Sequence, residues 1–89
     1  MVGHMKFFVY IIQSLKDSGY YVGMSGDIAK RLAYHNQGRV RSTKHRTPFR
    51  LLHSEEFDSR QEARNREKYL KSYAGAREKL TIIENCRVV

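Results

Sequence analysis

The sequence predicts an α/β fold of the α+β type, in which a three-stranded antiparallel sheet is flanked by about three helices. Two short aromatic and β-branched segments separated by a polar turn are typical of a β-hairpin. A third segment of this kind follows the single proline. Apolar residues at helical spacing, preceded by residues suited to helix capping, come after these strands. With 89 residues, the chain has room for one domain.

The three strands are predicted from segments rich in Tyr, Phe, Val and Ile. Residues 7–13 read Phe-Phe-Val-Tyr-Ile-Ile-Gln, and a polar turn leads from them to residues 20–24. The short connection pairs these two segments as an antiparallel hairpin. Residues 49–57, which follow Pro48, form the third predicted strand.

Three helices are predicted, over residues 27–37, 59–73 and 76–84. The first begins at Asp27, a residue suited to an N-cap, and ends before Gly38. The second opens on the capping-box sequence Ser-Arg-Gln-Glu at Ser59, and Gly75 separates it from the third.

The inward side of each helix is predicted from its apolar spacing. The first helix is expected to face inward with Ile28, Ala29, Leu32 and Ala33. The second carries a stripe with helical spacing, formed by Ala63, Glu67, Leu70 and Ala74. The third is expected to face inward with Leu80 and Ile83.

Residues 6–85 are expected to form the domain. Residues 1–5 are expected to be a cloning remnant or a disordered start, and residues 86–89 a C-terminal tail. The single cysteine, Cys86, excludes an intrachain disulfide and a cysteine-based zinc cluster, and it indicates a reducing cytoplasm. No apolar run approaches the roughly 20 residues that span a bilayer, and no signal peptide is evident, so no membrane association is expected.

Positive charge is concentrated in the middle of the chain. The formal net charge is +8, from 17 Lys and Arg against 9 Asp and Glu. Residues 28–54 contain no acidic residue, and their basic residues are Lys30, Arg31, Arg39, Arg41, Lys44, Arg46 and Arg50. This clustering favours a nucleic-acid partner, since no strongly amphipathic basic helix indicates a membrane surface. A surface that only aids solubility is the alternative.

Glu67 is anomalous because it lies within the apolar stripe of the second helix. A buried unpaired carboxylate costs several kcal/mol, so it needs a cation, strong donors or a proton. Mg²⁺ takes carboxylate oxygens and keeps several waters, so one Glu can be its sole protein ligand. The alternatives are an ion pair with Arg64, Arg66 or Lys71, or a helix rotated enough to hydrate the carboxylate.

Tyr10 and Tyr21 in the hairpin, and Arg31 and His35 on the first helix, are further candidates. Tyrosine in a strand is usually a packing residue, and helical Arg and His are usually solvated. The position of the helix favours a functional role for Arg31 and His35, because the helix lies between the hairpin and a basic loop at residues 39–47. Tyr20 is expected to face away from Tyr21.

Together these residues resemble the signature of the GIY-YIG nucleases. Residues 9–11 (Val-Tyr-Ile) and 21–23 (Tyr-Val-Gly) are similar to its two tripeptides, with tyrosines eleven positions apart. Arg31 and His35 are similar to the Arg-x-x-x-His helix of the family, and Glu67 is similar to its metal-binding Glu. The likeness covers about residues 7–84. It is closest to short stand-alone bacterial members, which resemble the N-terminal nuclease domain of the bacterial repair excinuclease.

The sequence departs from the signature at two strand positions. Val9 stands where the family has Gly, and Val22 stands where it has Ile. Both are β-branched residues that a pleated strand accepts. The catalytic residue types of the family are all present.

The resemblance implies an endonuclease that uses Mg²⁺ or Mn²⁺ to hydrolyse DNA phosphodiester bonds in repair, recombination or related DNA processing. It implies that Tyr10 or Tyr21, as a phenolate, activates the nucleophile, with a pKa lowered by Arg31 and the metal. Arg31 would hold the scissile phosphate, and His35 would assist proton transfer or phosphate binding. Glu67 would anchor the metal, and Gly23 would let backbone approach substrate.

The predicted nucleic-acid contacts are Lys30, Arg31, Arg39, Arg41, Lys44, Arg46 and Lys71. The expected partner is DNA, with RNA left open, as is a homodimer or a separate DNA-targeting protein. Two other functions stay open: a non-catalytic nucleic-acid-binding module of the same fold, and a small protein-interaction domain.

Overall fold

The computed structural model describes residues 5–87, so positions 1–4 of the predicted start segment and positions 88–89 lie outside the described residues. The elements in chain order are β1 (Phe7–Ser14), β2 (Tyr20–Ser25), α1 (Ile28–Asn36), a short 3-10 turn (Lys44–Arg46), β3 (Phe49–Phe57), α2 (Arg60–Lys71) and α3 (Ala76–Arg87). The strands form one antiparallel sheet in the order β2-β1-β3. The predicted fold class is confirmed.

The central strand β1 is buried on both faces of the sheet, because its side chains are apolar or aromatic on both sides. One face packs against α2 and α3, through Val9, Ile11 and Val22 on the sheet and Ala63, Leu70 and Ile83 on the helices. The other face packs against α1, through Tyr10, Ile12 and Phe49 on the sheet and Ile28 and Leu32 on the helix.

The register of the hairpin places the two signature tyrosines on the same face. Tyr10 lies opposite Gly23, and Ile12 lies opposite Tyr21. Cross-strand partners share a face, and so do residues two apart on one strand, so Tyr10 and Tyr21 both project toward α1. Tyr20 packs against the opposite cluster, as expected from the alternation of the strand.

The helix ends follow the predicted capping signals. The Asp27 carboxylate accepts a hydrogen bond from the Lys30 backbone amide at 3.0 Å. The Ser59 hydroxyl accepts from the Glu62 amide at 3.1 Å and donates to the Glu62 carboxylate at 3.1 Å, which completes a capping box. Gly38, with φ of 74°, adopts the left-handed conformation that ends α1.

The predicted inward sides of α1 and α2 are partly wrong. Ala29 and Ala33 are exposed, because the buried side of α1 is narrower than predicted and includes His35. Ala74 is also exposed. α2 ends at Lys71 and the chain then turns, so Ala74 no longer continues the helical spacing of the stripe.

α3 is longer than predicted, and the side that it buries differs from the predicted one. Ile83 is buried, as expected, but Leu80 is 53% exposed, so its inward prediction is wrong. The helix continues to Arg87 instead of ending at residue 84, and it therefore includes the beginning of the predicted tail. In the part of the chain that the structure describes, no helix has the length and apolar character needed to cross a bilayer.

Candidate active site

The side chains of Tyr10, Tyr21 and His35 meet between the sheet and α1. The Tyr10 hydroxyl lies 2.9 Å from His35 Nε2. The ring centroid of Tyr21 is 6.5 Å from that of Tyr10 and 5.1 Å from that of His35. Tyr10 is 2% exposed and His35 is fully buried, whereas Tyr21 is half-buried. Of the two tyrosines, Tyr21 is therefore the more accessible to substrate.

Gly23 makes this arrangement sterically possible. A β-carbon at Gly23 would lie 2.5 Å from Cζ of Tyr10, so the Tyr10 ring occupies the space that a side chain would need. Gly23 was expected to leave room for the approach of substrate to the backbone. The structure shows that Tyr10, its cross-strand partner, takes up that room.

His35 is the middle member of a buried hydrogen-bonded chain. Its Nδ1 lies 2.7 Å from Oγ1 of Thr43, which is also fully buried and lies 3.5 Å from the Val40 carbonyl oxygen. With the Thr43 hydroxyl donating to Val40, Nδ1–H donates to Thr43 and Nε2 accepts from the Tyr10 hydroxyl. These contacts assign the tautomer that is protonated at Nδ1.

The protonation states of this chain follow from burial and from Arg31. Burial, together with the positive charge of Arg31, lowers the pKa of His35 to about 4, so the imidazole is neutral at neutral pH. Burial also raises the pKa of Tyr10. The nearby Arg31 guanidinium opposes this increase in the pKa of Tyr10, while negative charge on Tyr21 or Glu67 adds to it. The expected lowering of a tyrosine pKa by Arg31 is therefore outweighed at Tyr10.

Arg31 connects the buried chain to the protein surface. Its guanidinium is near enough to the Tyr10 hydroxyl to oppose the increase in the pKa of that group. It also lines an open cavity of about 170 Å³ together with Ser25, Asp27, Lys30 and Tyr34. Two cations contact the Tyr34 ring beside this cavity: Lys30 Nζ lies 5.9 Å from the ring centroid, and Arg39 Cζ lies 4.8 Å from it. The cavity is thus bordered by positive charge.

Glu67 lies close enough to the tyrosines for its charge to act on Tyr10. Its side chain is 13% exposed, and its carboxylate accepts a hydrogen bond from Lys71 Nζ at 3.2 Å. Lys71 Nζ also lies 5.2 Å from the Tyr21 ring centroid. Of the ion-pair partners considered from the sequence, Lys71 is the one observed, whereas Arg66 pairs with Glu55 and Glu78.

The residues at the site fit a hard divalent cation only through a single carboxylate. Within residues 5–87, no group of three or more His, Cys, Asp or Glu residues is arranged to hold a metal ion. Mg²⁺ is commonly bound by one or two carboxylates, with waters and substrate phosphate oxygens completing its octahedron. Glu67 meets this requirement, because its partner Lys71 is on the surface and can move away.

The basic loop (residues 39–47) is attached to β1 and to the turn that follows it. Arg46 pairs with Asp17 at 2.8 Å, and the Arg46 guanidinium lowers the pKa of that carboxyl to about 2. The Ser14 hydroxyl donates to the Arg46 carbonyl oxygen, and Lys16 Nζ donates to the His45 carbonyl oxygen at 3.1 Å. These contacts give Arg46, a predicted nucleic-acid contact, a structural partner within the protein.

The other predicted contacts lie at the surface near the site. The exposed cations are Lys30, Arg39, Arg41, Lys44 and Lys71. Sequence reasoning did not identify Thr43. The hydroxyl-rich composition of the basic loop was the available signal, but only the folded loop reveals which hydroxyl meets His35.

Comparison with known proteins agrees with the resemblance stated from the sequence. Residues 6–80 match the family described as the GIY-YIG catalytic domain. The UPF0213 protein YsiG of Lactococcus lactis is 38% identical over 81 residues, which cover 90% of this chain and 77% of that protein. A UPF0213 protein of Halobacterium salinarum is 42% identical over 69 residues, which cover 76% of this chain and 88% of that protein.

A solved structure extends the agreement to the fold. The solution NMR structure of a UPF0213 protein from Bacillus halodurans has a TM-score of 0.52 and 31% sequence identity to this chain. The comparison covers 88% of this chain and 85% of that one. The paired strand tyrosines, the match over residues 6–80 and these relatives lead to one conclusion: this chain belongs to the GIY-YIG nuclease superfamily, and within it to the UPF0213 proteins.

Proposed function

We propose that the protein is a divalent-metal-dependent endonuclease that hydrolyses DNA phosphodiester bonds in DNA repair, recombination or related processing. One observation carries this proposal: the accessible Tyr21, the cation Arg31 and the carboxylate Glu67 converge around the buried Tyr10–His35–Thr43 chain. Acid–base, phosphate-binding and metal-binding groups therefore surround one point at the surface.

Tyr21 is the general base in this proposal. It is half-buried and can reach a water molecule next to a bound phosphate, whereas Tyr10 is enclosed and has a raised pKa. Negative charge on Tyr21 would raise the pKa of Tyr10 further, so the proposal assigns the role of base to the accessible tyrosine alone. Tyr10 then acts as a positioning residue, whose hydroxyl holds the neutral imidazole of His35 behind Tyr21.

Arg31 binds the scissile phosphate and offsets the charge that develops on its oxygens. In the free protein Arg31 borders the open cavity at the start of α1 and lies near the Tyr10 hydroxyl. A phosphate in that cavity would meet Arg31 and Lys30 together. Burial is the main cause of the low His35 pKa and the charge of Arg31 adds to it; a bound anion would offset only this second contribution.

Glu67 is the residue that would hold Mg²⁺ or Mn²⁺. Such an ion supplies Lewis-acid stabilisation of the charge on the leaving oxygen. Lys71 compensates the Glu67 charge in the free protein, and it is exposed enough to turn toward a phosphate instead. The surface cations of α1 and the basic loop would bind the DNA backbone, with a marked dependence on salt.

A non-catalytic nucleic-acid-binding module is the second candidate. The Glu67–Lys71 ion pair favours it, because the pair gives the carboxylate a structural partner that needs no metal. In that case the basic surface would bind DNA, and the tyrosines would serve only in packing. The two candidates differ in whether the DNA backbone is cut.

The test is a cleavage assay on nicked, branched and single-stranded DNA with Mg²⁺, Mn²⁺ or EDTA. Tyr21→Phe removes the proposed base, and Tyr20→Phe is the matched control, because Tyr20 lies on the opposite face of the same strand. We expect metal-dependent cleavage that Tyr21→Phe lowers by about 10²–10⁴-fold and Tyr20→Phe preserves. DNA binding without cleavage in either metal would instead support the non-catalytic module.

A further inference from the structure

The turn between α2 and α3 holds one aromatic side chain fully in solvent. Tyr73 is 99% exposed. The turn itself is well ordered: the Ser72 hydroxyl donates to the Tyr69 carbonyl oxygen at 2.6 Å and accepts from the Gly75 amide at 3.2 Å. A side chain at Gly75 would collide with the Tyr69 carbonyl group, so the chain packs closely at this point. The exposure of Tyr73 is therefore a property of an ordered turn.

Tyr73 borders a shallow cavity of about 470 Å³, which we call the shelf and define by its lining residues Tyr73, Ala74, Ala76, Arg77 and Leu80. The two alanines leave space between the larger groups, and Leu80 is 53% exposed. Its charged member, Arg77, carries a planar cation. The shelf therefore combines an aromatic ring, a guanidinium and an aliphatic side chain.

Lys71 links the shelf to the proposed active site. Its side chain contacts both Glu67 and the Tyr21 ring, and it precedes Tyr73 by two residues. Two residues of extended chain span at most about 7 Å, so the backbones of Lys71 and Tyr73 lie within that distance of each other. A DNA strand that runs from Tyr21 along the Lys71 side chain would reach the shelf, where its phosphates would meet the positive charge of Arg77.

We propose that the shelf binds an unpaired nucleobase of the DNA strand held at the active site, by stacking it on Tyr73 beside Arg77. This inference rests on the proposed function, since it assumes that DNA lies at Tyr21. Aromatic rings and guanidinium planes both stack on bases, whatever the base identity. A base within intact duplex is already stacked on its neighbours, so the shelf takes bases from single-stranded, frayed or branched segments.

Charge and chemistry together favour a nucleobase over an apolar protein segment. Lys71 and Arg77, the cations next to the shelf, would attract a phosphate backbone. The lining offers a flat heterocycle an exposed aromatic ring, a guanidinium and two small residues. A second copy of this chain would bring the same positive charges against Lys71 and Arg77.

The experiment is a fluorescence titration in EDTA, so that cleavage plays no part. The probe is a single-stranded oligonucleotide containing 2-aminopurine, whose fluorescence falls on stacking, and the same strand within a duplex is the comparison. We expect wild-type protein to quench the single strand. Tyr73→Ala should abolish the quenching and weaken binding by about fivefold or more, and Tyr73→Phe should preserve both.

Two controls separate stacking from charge and from folding. Arg77→Ala should also reduce quenching, whereas Arg60→Ala removes the same charge at the far end of α2 and should not. Tyr73→Ala should leave the slope of log affinity against log salt unchanged, because it removes no charge. Its thermal melt should match the wild type, since Tyr73 is fully exposed.

The outcomes distinguish this inference from the proposed nuclease function. If Tyr73→Ala binds and quenches like the wild type, the shelf proposal is overturned while the nuclease proposal stands. If the wild type binds no DNA of either form, both are overturned. A change in sedimentation of Tyr73→Ala without DNA would show that the shelf joins copies of this chain, and it would also overturn the proposal.

Discussion

Acidification should destabilise this protein mainly through His35. The folded-state pKa of His35 is about 4, below its ordinary value of 6.5, so the unfolded chain takes up the proton first. The contribution of His35 to stability is therefore complete above pH 6.5 and is lost as the pH falls toward 4. Linkage between about pH 7 and pH 5 gives a loss of about 2 kcal/mol.

Thermal melts over this pH range measure the effect. For a domain of this size, 1 kcal/mol corresponds to about 4–8 °C in Tm, so the wild type should lose about 8 °C or more. The carboxyls with lowered pKa, Asp17 and Glu55, have ordinary values of 3.8 and 4.5 and contribute mostly at lower pH. The window between pH 7 and 5 therefore separates the effect of His35 from that of these two carboxyls.

A matched pair of histidine variants tests the assignment. His35→Gln keeps a polar side chain but does not titrate in this window, so its Tm should change little between pH 7 and 5. His45→Gln changes an exposed histidine in the basic loop and should keep the wild-type slope. An equal slope in His35→Gln and the wild type would refute the argument that burial and Arg31 keep His35 neutral.

Three further predictions concern the polar groups of the site. Glu67→Gln should abolish metal-dependent cleavage while DNA binding persists. It should lower the free energy of unfolding by no more than about 1 kcal/mol, because the ion pair with Lys71 is partly exposed. Unimpaired cleavage would contradict the proposed role of Glu67 in metal binding. Thr43→Val leaves the buried His35 Nδ1–H without its partner and should lower the free energy of unfolding, measured with denaturant, by about 1–3 kcal/mol. Thr43→Ser keeps the hydroxyl and should retain most of that stability. Equal stability of the wild type and both variants would argue against the assigned tautomer. Replacing the exposed loop cations Arg39, Arg41 and Lys44 with Ala should weaken DNA binding and flatten its dependence on salt, and an unchanged salt slope would show that DNA binds elsewhere.

Local signals explain why most of the fold could be predicted from the sequence. The hairpin and the helix caps at Asp27 and Ser59 are determined by residues close in the sequence, so local sequence patterns predict them. The common face of Tyr10 and Tyr21 follows from the register of one short hairpin. One error arises where a helix stops: Ala74 lies beyond the end of α2, so the spacing that placed it inward no longer applies. The errors at Ala29, Ala33 and Leu80 lie within helices, where apolar spacing did not fix which side packs against the sheet.

Much of the site could not be predicted, because it depends on contacts between distant segments that the periodicity of the sequence does not encode. Thr43 meets His35 only because the basic loop folds back over α1. The pairing of Arg46 with Asp17 joins residues 29 positions apart, so composition alone gave no sign of this partner. The raised pKa of Tyr10 likewise depends on how deeply three elements enclose it.

The attachments of the basic loop have a kinetic consequence for the DNA association proposed above. Bonds from Ser14, Lys16 and Asp17 to the loop, and from His35 to Thr43, order its backbone when the protein folds. The entropy of ordering is therefore lost before DNA arrives, and docking needs no rearrangement of the loop. Such a preorganised cationic surface captures a polyanion at a rate set by diffusion and electrostatic steering. The association rate constant should consequently fall steeply with ionic strength, without a slow conformational phase.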